Sequence, residues 1–114
     1  MSLRIHALDT LSTFNDGELG QLDLRQRYLR HIEVNDDAFE KKCVAAHITV
    51  SALVLDHTRK KVLLTLHPKV GRWLQLGGHC EVSDASLEDA ALREAREESG
   101  LTHFDFFIDV PVQL

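Results

Sequence analysis

Residues 77–101, GGHCEVSDASLEDAALREAREESGL, constrain the fold more than any other part of the chain, because their second half is a helix with both ends marked. Ser86 followed by Asp89 has the spacing of a capping box, in which the first side chain satisfies a free amide of the opening turn. Gly100 is the residue type that lets a helix close through a left-handed turn. An α-helix advances roughly 100° per residue, so Glu94, Glu97 and Glu98 share one arc of about 100°. Leu92, Ala91 and Ala95 occupy the neighbouring arc, which puts the carboxylates at the edge of the buried face. Like charges three and four residues apart cost roughly 0.2–0.5 kcal/mol per pair. A helix that only had to fold would spread them out. Converging carboxylates suit a hard divalent cation with oxygen ligands, such as magnesium.

The run Arg93-Glu94-Ala95-Arg96-Glu97-Glu98-Ser99-Gly100-Leu101 resembles the second half of the Nudix box, R-E-U-x-E-E-x-G-U, where U is a bulky apolar residue. Ala95 is a small occupant of its position. The first half of that pattern runs from a glycine through five residues to a glutamate, then seven more to the arginine. Counted from Gly78, Asp84 stands where the pattern has glutamate, and eight residues separate it from Arg93. One extra residue in the loop between Cys80 and Ser86 accounts for the difference and leaves the role of Asp84 open.

The rest of the chain fits around this motif. A length of 114 residues allows one domain. Apolar residues make up 44% and charged residues 27%, ordinary for a globular chain. The net charge of −5 offers no basic stripe for a nucleic-acid duplex or a membrane surface. An acidic protein acting on anionic substrates needs cations, which a divalent metal would supply. Cys43 and Cys80 lack metal-ligand spacing and fit reduced thiols. With no secretory signal and no apolar run of membrane-spanning length, the expected compartment is the cytoplasm.

Residues 1–42 read as a helical extension and residues 43–114 as the motif-bearing domain. Asp16 is placed to cap a helix over residues 18–34, with Leu22, Tyr28, Leu29 and Ile32 as its apolar stripe and Gly20 weakening its start. Another turn is expected over residues 38–42. The extension packs on the domain or on a second subunit. From residue 47 the chain alternates polar and apolar with the period of a half-buried strand through residue 55. Residues 56–60 form a polar turn, residues 62–66 a second strand, and the two make a hairpin. Residues 67–72 are a loop punctuated by Pro68 and Gly71. Residues 73–76 are a short strand delivering Gly77 and Gly78 to the motif helix. Residues 104–110, with three phenylalanines, read as a further strand.

This order is similar to the Nudix fold, an α/β arrangement in which a mixed β-sheet is sandwiched between helices. The resemblance covers roughly residue 46 onward. Members of that family continue well beyond the box, so the C-terminal part is expected to be missing from this chain, or a second subunit to cover the gap as a homodimer.

The resemblance implies metal-dependent hydrolysis of a phosphoanhydride in a nucleoside diphosphate linked to another group, with Mg2+ as cofactor and Mn2+ able to substitute. Carried across residue by residue, Glu94, Glu97 and Glu98 are the metal ligands, and the Gly78 carbonyl supplies a further oxygen. Arg93 and Glu94 are the catalytic candidates. Arg93 pairs with a box carboxylate and fixes its rotamer; Glu94 ligates the metal or orients the water. A nucleotide-binding module without turnover is the alternative reading.

The other candidates have plainer readings. His79 is a loop hydrogen-bonding residue or a phosphate neighbour. His67 could approach the same cleft, but nothing in the sequence joins the two histidines into a zinc site. Trp73 reads as core rather than as a stacking platform. Glu81 and Asp84 are solvated loop acids or contacts to an outer metal. Cys80 has no activating base near it and is not read as a nucleophile. The nucleoside diphosphate derivative is not specified by any of these residues.

Overall fold

The computed structural model describes residues 2–15 and 17–114. The first helix, α1 (Leu3–Thr13), opens at Ser2, whose Oγ accepts from the Ile5 amide at 3.2 Å. The second, α2 (Gln21–Val34), starts three residues later than the sequence suggests. Gly20 adopts φ 86°, a left-handed conformation that cannot sit inside a right-handed helix, so the helix begins after it. Asp16, the expected cap, lies outside the described residues. Arg25 Nη1 donates to the Phe14 carbonyl at 2.8 Å and Arg4 Nη1 to the Asn35 carbonyl at 3.2 Å, tying the two helices together. Ala7, Leu11, Ile32 and Ala38 form a buried cluster between them. Residues 36–42 turn as expected, with Ala38, Glu40 and Cys43 amides each bonded three residues back.

The strands are β1 (Thr49–Ala52), β2 (Val54–Leu55), β3 (Val62–Leu66) and β4 (Trp73–His79), in the order β1-β4-β3-β2. Every pairing is antiparallel, where a mixed sheet is expected from the family pattern. The reason is connectivity: β2–β3 and β3–β4 are hairpins, and β4 returns alongside β1. Only Leu53 separates β1 from β2, yet the two stand at opposite edges. The run from 49 to 55 therefore curls the sheet around the β3–β4 hairpin. In the 56–60 turn, Asp56 Oδ1 accepts from the Lys60 and Lys61 amides at 3.0 Å and Oδ2 from Thr58 Oγ1 at 2.6 Å. The Thr58 hydroxyl, helped by these amides, holds the Asp56 carboxyl below the usual range.

The third helix, α3 (Leu87–Ser99), packs on β4 and β1 and buries Ala90 and Ala95 there. Leu92 and Ala91 are only partly buried, so the apolar face is centred on small residues that let helix and sheet approach closely. Both expected caps are present: Ser86 Oγ accepts from the Asp89 amide at 3.0 Å, and Gly100 takes φ 74°. The extension meets α3 at its start. His6 Nδ1 accepts from the Leu87 amide at 3.2 Å while Nε2 lies 3.0 Å from Glu88.

Two expectations fail here. Residues 104–110 form no strand, and their backbone makes no ladder bond among the described residues. A strand exists only where an edge accepts it; instead Phe107 lies under the Arg59 guanidinium, 3.7 Å from its ring centroid. Trp73 is 65% exposed and is not core. It opens β4 beside the 67–72 loop. No helix of the described residues is long and apolar enough to cross a membrane.

Candidate metal and active site

The Gly77–Gly78 segment lies within β4, which runs past the expected residue 76, with Gly77 opposite Ser51 and Gly78 opposite Val50. Helix α3 lies directly across it. A Cβ on Gly78 would sit 2.7 Å from the Glu94 carboxylate carbon, so only glycine lets that carboxylate rest against the strand. A Cβ on Gly77 would fall on the Val50 carbonyl oxygen of the neighbouring strand. One turn further along α3, Glu98 Oε1 accepts from the Gly77 amide at 3.3 Å. Glu94 and Glu98 thus reach the two glycines from successive turns, as their spacing requires.

Arg93 organises the acids. Its Nε donates to Asp84 Oδ1 at 3.1 Å and its Nη2 to Asp84 Oδ2 at 2.9 Å, a two-pronged pair. Nη2 also donates to the His79 carbonyl at 2.8 Å. Nη1 lies 3.1 Å from Glu94 Oε1, 3.4 Å from Glu81 Oε1 and 3.5 Å from Glu97 Oε2. Every prong of the guanidinium is used within the protein, which fits a residue that fixes rotamers rather than one that binds substrate.

Asp84, whose role the sequence leaves open, is its main partner. It is 7% exposed, not a solvated loop acid. Its Oδ2 accepts from the Glu81 amide at 2.7 Å, and its own amide donates to the Glu81 carbonyl at 3.0 Å. This tight loop absorbs the extra residue and returns the shorter acid to Arg93. The Arg93 hydrogen bonds hold the Asp84 carboxyl well below the usual range against the cost of burial. Asp84 in turn raises the Arg93 guanidinium, which stays charged at any working pH.

Five carboxylates, from Glu81, Asp84, Glu94, Glu97 and Glu98, therefore stand around the glycine strand. Arg93 is the only cationic side chain paired with them among the described residues. The local charge is strongly negative, and an all-oxygen donor set of this kind fits a hard divalent cation. As the side chains stand, no three His, Cys, Asp or Glu groups among the described residues converge closely enough to hold an ion. Convergence requires Glu97 to turn from Arg93 and Glu98 from the Gly77 amide. Both are exposed.

The two histidines of interest are held apart. His79 stacks on His47 with ring centroids 4.9 Å apart, and His47 Nε2 is buried without a partner among the described residues. His67 belongs to the β3–β4 loop and lines a cavity of about 280 Å³ that also touches Gly77 and Glu98. A wider cavity of about 650 Å³ lies between α1 and residues 110–112, away from the box carboxylates. Cys80 is buried; desolvation, with Asp84 adding to it, pushes its thiol up to about 11, so it is no nucleophile. The cavity residues on β1 and β3 carry no sequence signal, because they are ordinary strand positions brought together by the curl of the sheet.

A family model described as the NUDIX domain matches residues 45–110, more than half of the chain. A search of curated proteins returned no match.

Proposed function

From the chain's membership of the Nudix family, whose domain points in general to pyrophosphohydrolase activity, we propose that this protein hydrolyses a phosphoanhydride in a nucleoside diphosphate linked to another group. The observation that carries the reading is the surplus of carboxylates over cations around the Gly77–Gly78 strand. Cleaving a phosphoanhydride requires neutralising charge on the phosphoryl oxygens and aligning a water with phosphorus. A bound Mg2+, or Mn2+ in its place, supplies the positive charge and lowers the pKa of water. Glu94, Glu97, Glu98 and the Gly78 carbonyl would hold it.

The chain's own groups do the positioning. Arg93 clamps the largely buried Glu94 at 3.1 Å and keeps its carboxylate against Gly78. Asp84 anchors Arg93 from the opposite side, so the loop, the strand and the helix form one rigid cradle. Glu97 and Glu98 retain the freedom to close on a cation. Action in the cytoplasm is part of the same reading, and the two free, buried cysteines are its support.

The test is release of phosphate and nucleotide from a panel of nucleoside diphosphate derivatives with Mg2+ or Mn2+, for wild type and Glu98→Gln. Losing a partner of a metal ligand costs about 10–100-fold in metal affinity or activity, and losing a ligand should cost at least as much. Metal-dependent turnover that falls by that margin in the variant supports the reading. Nucleotide binding unaffected by the change, with no turnover in either protein, assigns the chain to nucleotide recognition instead.

A further inference from the structure

Strand register sorts the side chains of the sheet onto two faces, and α3 packs on one of them. Gly78 and Leu76 share that face: Glu94 rests against Gly78, and Leu76 is 1% exposed. The other face carries Trp73 with Leu66 opposite it, Leu64 opposite Gln75, and Val62 opposite Leu55. Trp73 is 65% exposed, Val62 52%, Leu66 51% and Leu64 40%. They form one continuous stripe, three successive same-face positions on β3 and the cross-strand neighbour of the last. An apolar sheet face is stable when a second layer covers it.

The size of the stripe sets what can cover it. A Val or Leu side chain brings about 100 Å² of apolar area and a Trp about 250 Å², so the exposed fractions leave roughly 300 Å². At the roughly 57% apolar share of ordinary interfaces, that corresponds to a contact burying about 1,100 Å² over both partners. Such a contact clears the roughly 1,000 Å² of a specific interface and stays below the roughly 1,600 Å² of a standard one, the range of a weak, reversible pair.

Charge selects the partner. The chain is 27% charged, yet no Lys, Arg, Asp or Glu stands on this face, from Thr49 and Ser51 on β1 through Gln75 on β4 to Leu55 on β2. A membrane surface or a charged partner would be met by countercharges, and none is offered. A second copy brings the same uncharged stripe, so a two-fold axis through it sets no like charges against each other. The edge strand beside the stripe, β2, is two residues long, too short to pair with another strand, which leaves docking face to face.

We propose that this face is a homodimer interface closed by a two-fold axis, with Trp73 as its anchor. It stands independently of the hydrolase reading. Trp73 is the one tryptophan of the chain, so its emission reports the contact in the wild-type protein itself. Sedimentation velocity and tryptophan fluorescence are measured over about 1–500 µM for wild type, Leu66→Lys and Val34→Lys. Val34, 66% exposed on α2, is the control for an apolar side chain elsewhere on the surface.

Wild type should double in mass with a midpoint on the order of 10–100 µM, and its emission should move to shorter wavelength over the same range. Leu66→Lys should raise the midpoint at least about tenfold, and Val34→Lys should leave it unchanged. Far-ultraviolet circular dichroism checks the fold of Leu66→Lys; should it unfold, the wild-type emission decides. A monomer throughout overturns the second copy as the occupant. A dimer with unchanged emission, or one that folded Leu66→Lys leaves intact or Val34→Lys weakens equally, overturns the placement on this face. Species that grow beyond the dimer overturn the two-fold closure.

Discussion

Replacing Asp84 with asparagine tests whether the carboxylate nest depends on that one acid. Asp84 accepts three hydrogen bonds, at 3.1 Å and 2.9 Å from Arg93 and at 2.7 Å from the Glu81 amide. Two of them converge on Oδ2. An amide accepts on one atom only, so its least costly orientation puts oxygen at the Oδ2 position and its NH2 against the Arg93 Nε–H. One charge-assisted bond is lost, the remaining Arg93 bond becomes charge–neutral and the Glu81 amide bond neutral–neutral, and two donors face each other. A hydrogen bond to a charged group contributes about 1.5–3 kcal/mol, and removing one partner of a buried ion pair costs about 3–5 kcal/mol. Arg93 keeps Glu81, Glu94 and Glu97 as partners, so the loss falls at the low end, about 3 kcal/mol. For a chain of this size that lowers Tm by roughly 12 °C.

Urea unfolding followed by far-ultraviolet circular dichroism at pH 7 measures the difference directly. Acid adds a second signature. Because Arg93 depresses the Asp84 carboxyl, the folded protein binds fewer protons there than the unfolded chain. Stability from this group is complete above the unfolded value, about 3.9, and is lost as pH falls through the folded value. Wild type and Asp84→Asn should therefore converge in stability below about pH 4. A loss under about 1 kcal/mol at pH 7, or a difference that persists undiminished in acid, refutes the assignment of Asp84 as the anchor.

Three further outcomes follow from the same geometry. Gly78→Ala displaces only the end of the Glu94 side chain, so turnover should fall while stability changes little; Gly77→Ala meets the Val50 backbone and should cost about 1–3 kcal/mol, and equal stability of the two variants in thermal unfolding contradicts the placement of α3 over the strand. The Cys80 thiol, at about 11, should react with a disulfide reagent at pH 8 only after denaturation, and rapid labelling of the native protein at Cys80 counts against its burial. Ser86→Ala removes the α3 cap and should cost about 1 kcal/mol in urea unfolding, with no loss meaning the cap bond is not formed in solution.

The motif helix was legible because its signals are local: a cap three residues from its partner amide, a glycine at the far end, and carboxylates at helical spacing. The same holds for β3 and for most of β1 and β4. The first helix escaped because its apolar residues are interleaved with Ser12 and Thr13, whose hydroxyls bond back to the Leu8 and Asp9 carbonyls, and with other polar residues that blur the stripe. Residues 104–110 have strand composition, but a strand needs an edge, and edges belong to the whole sheet. The Asp84–Arg93 pair was half legible. Position pointed to the acid, but the loop turn that brings it home is not encoded in spacing. The cavity beside Glu98 was invisible, since it depends on the curl that brings β1, β3 and β4 together beside α3.

The way His6 meets the Leu87 amide and Glu88 bears on where this protein can be cut. Ile48, Leu87 and Leu114 pack against a cluster whose buried members, Ala7, Leu11, Ile32 and Ala38, all lie before the family-matched region begins at residue 45. A fragment starting at that boundary would keep every box carboxylate yet leave these three side chains facing water and the first amide of the motif helix without its acceptor. The unit that inherits the motif is smaller than the unit that folds.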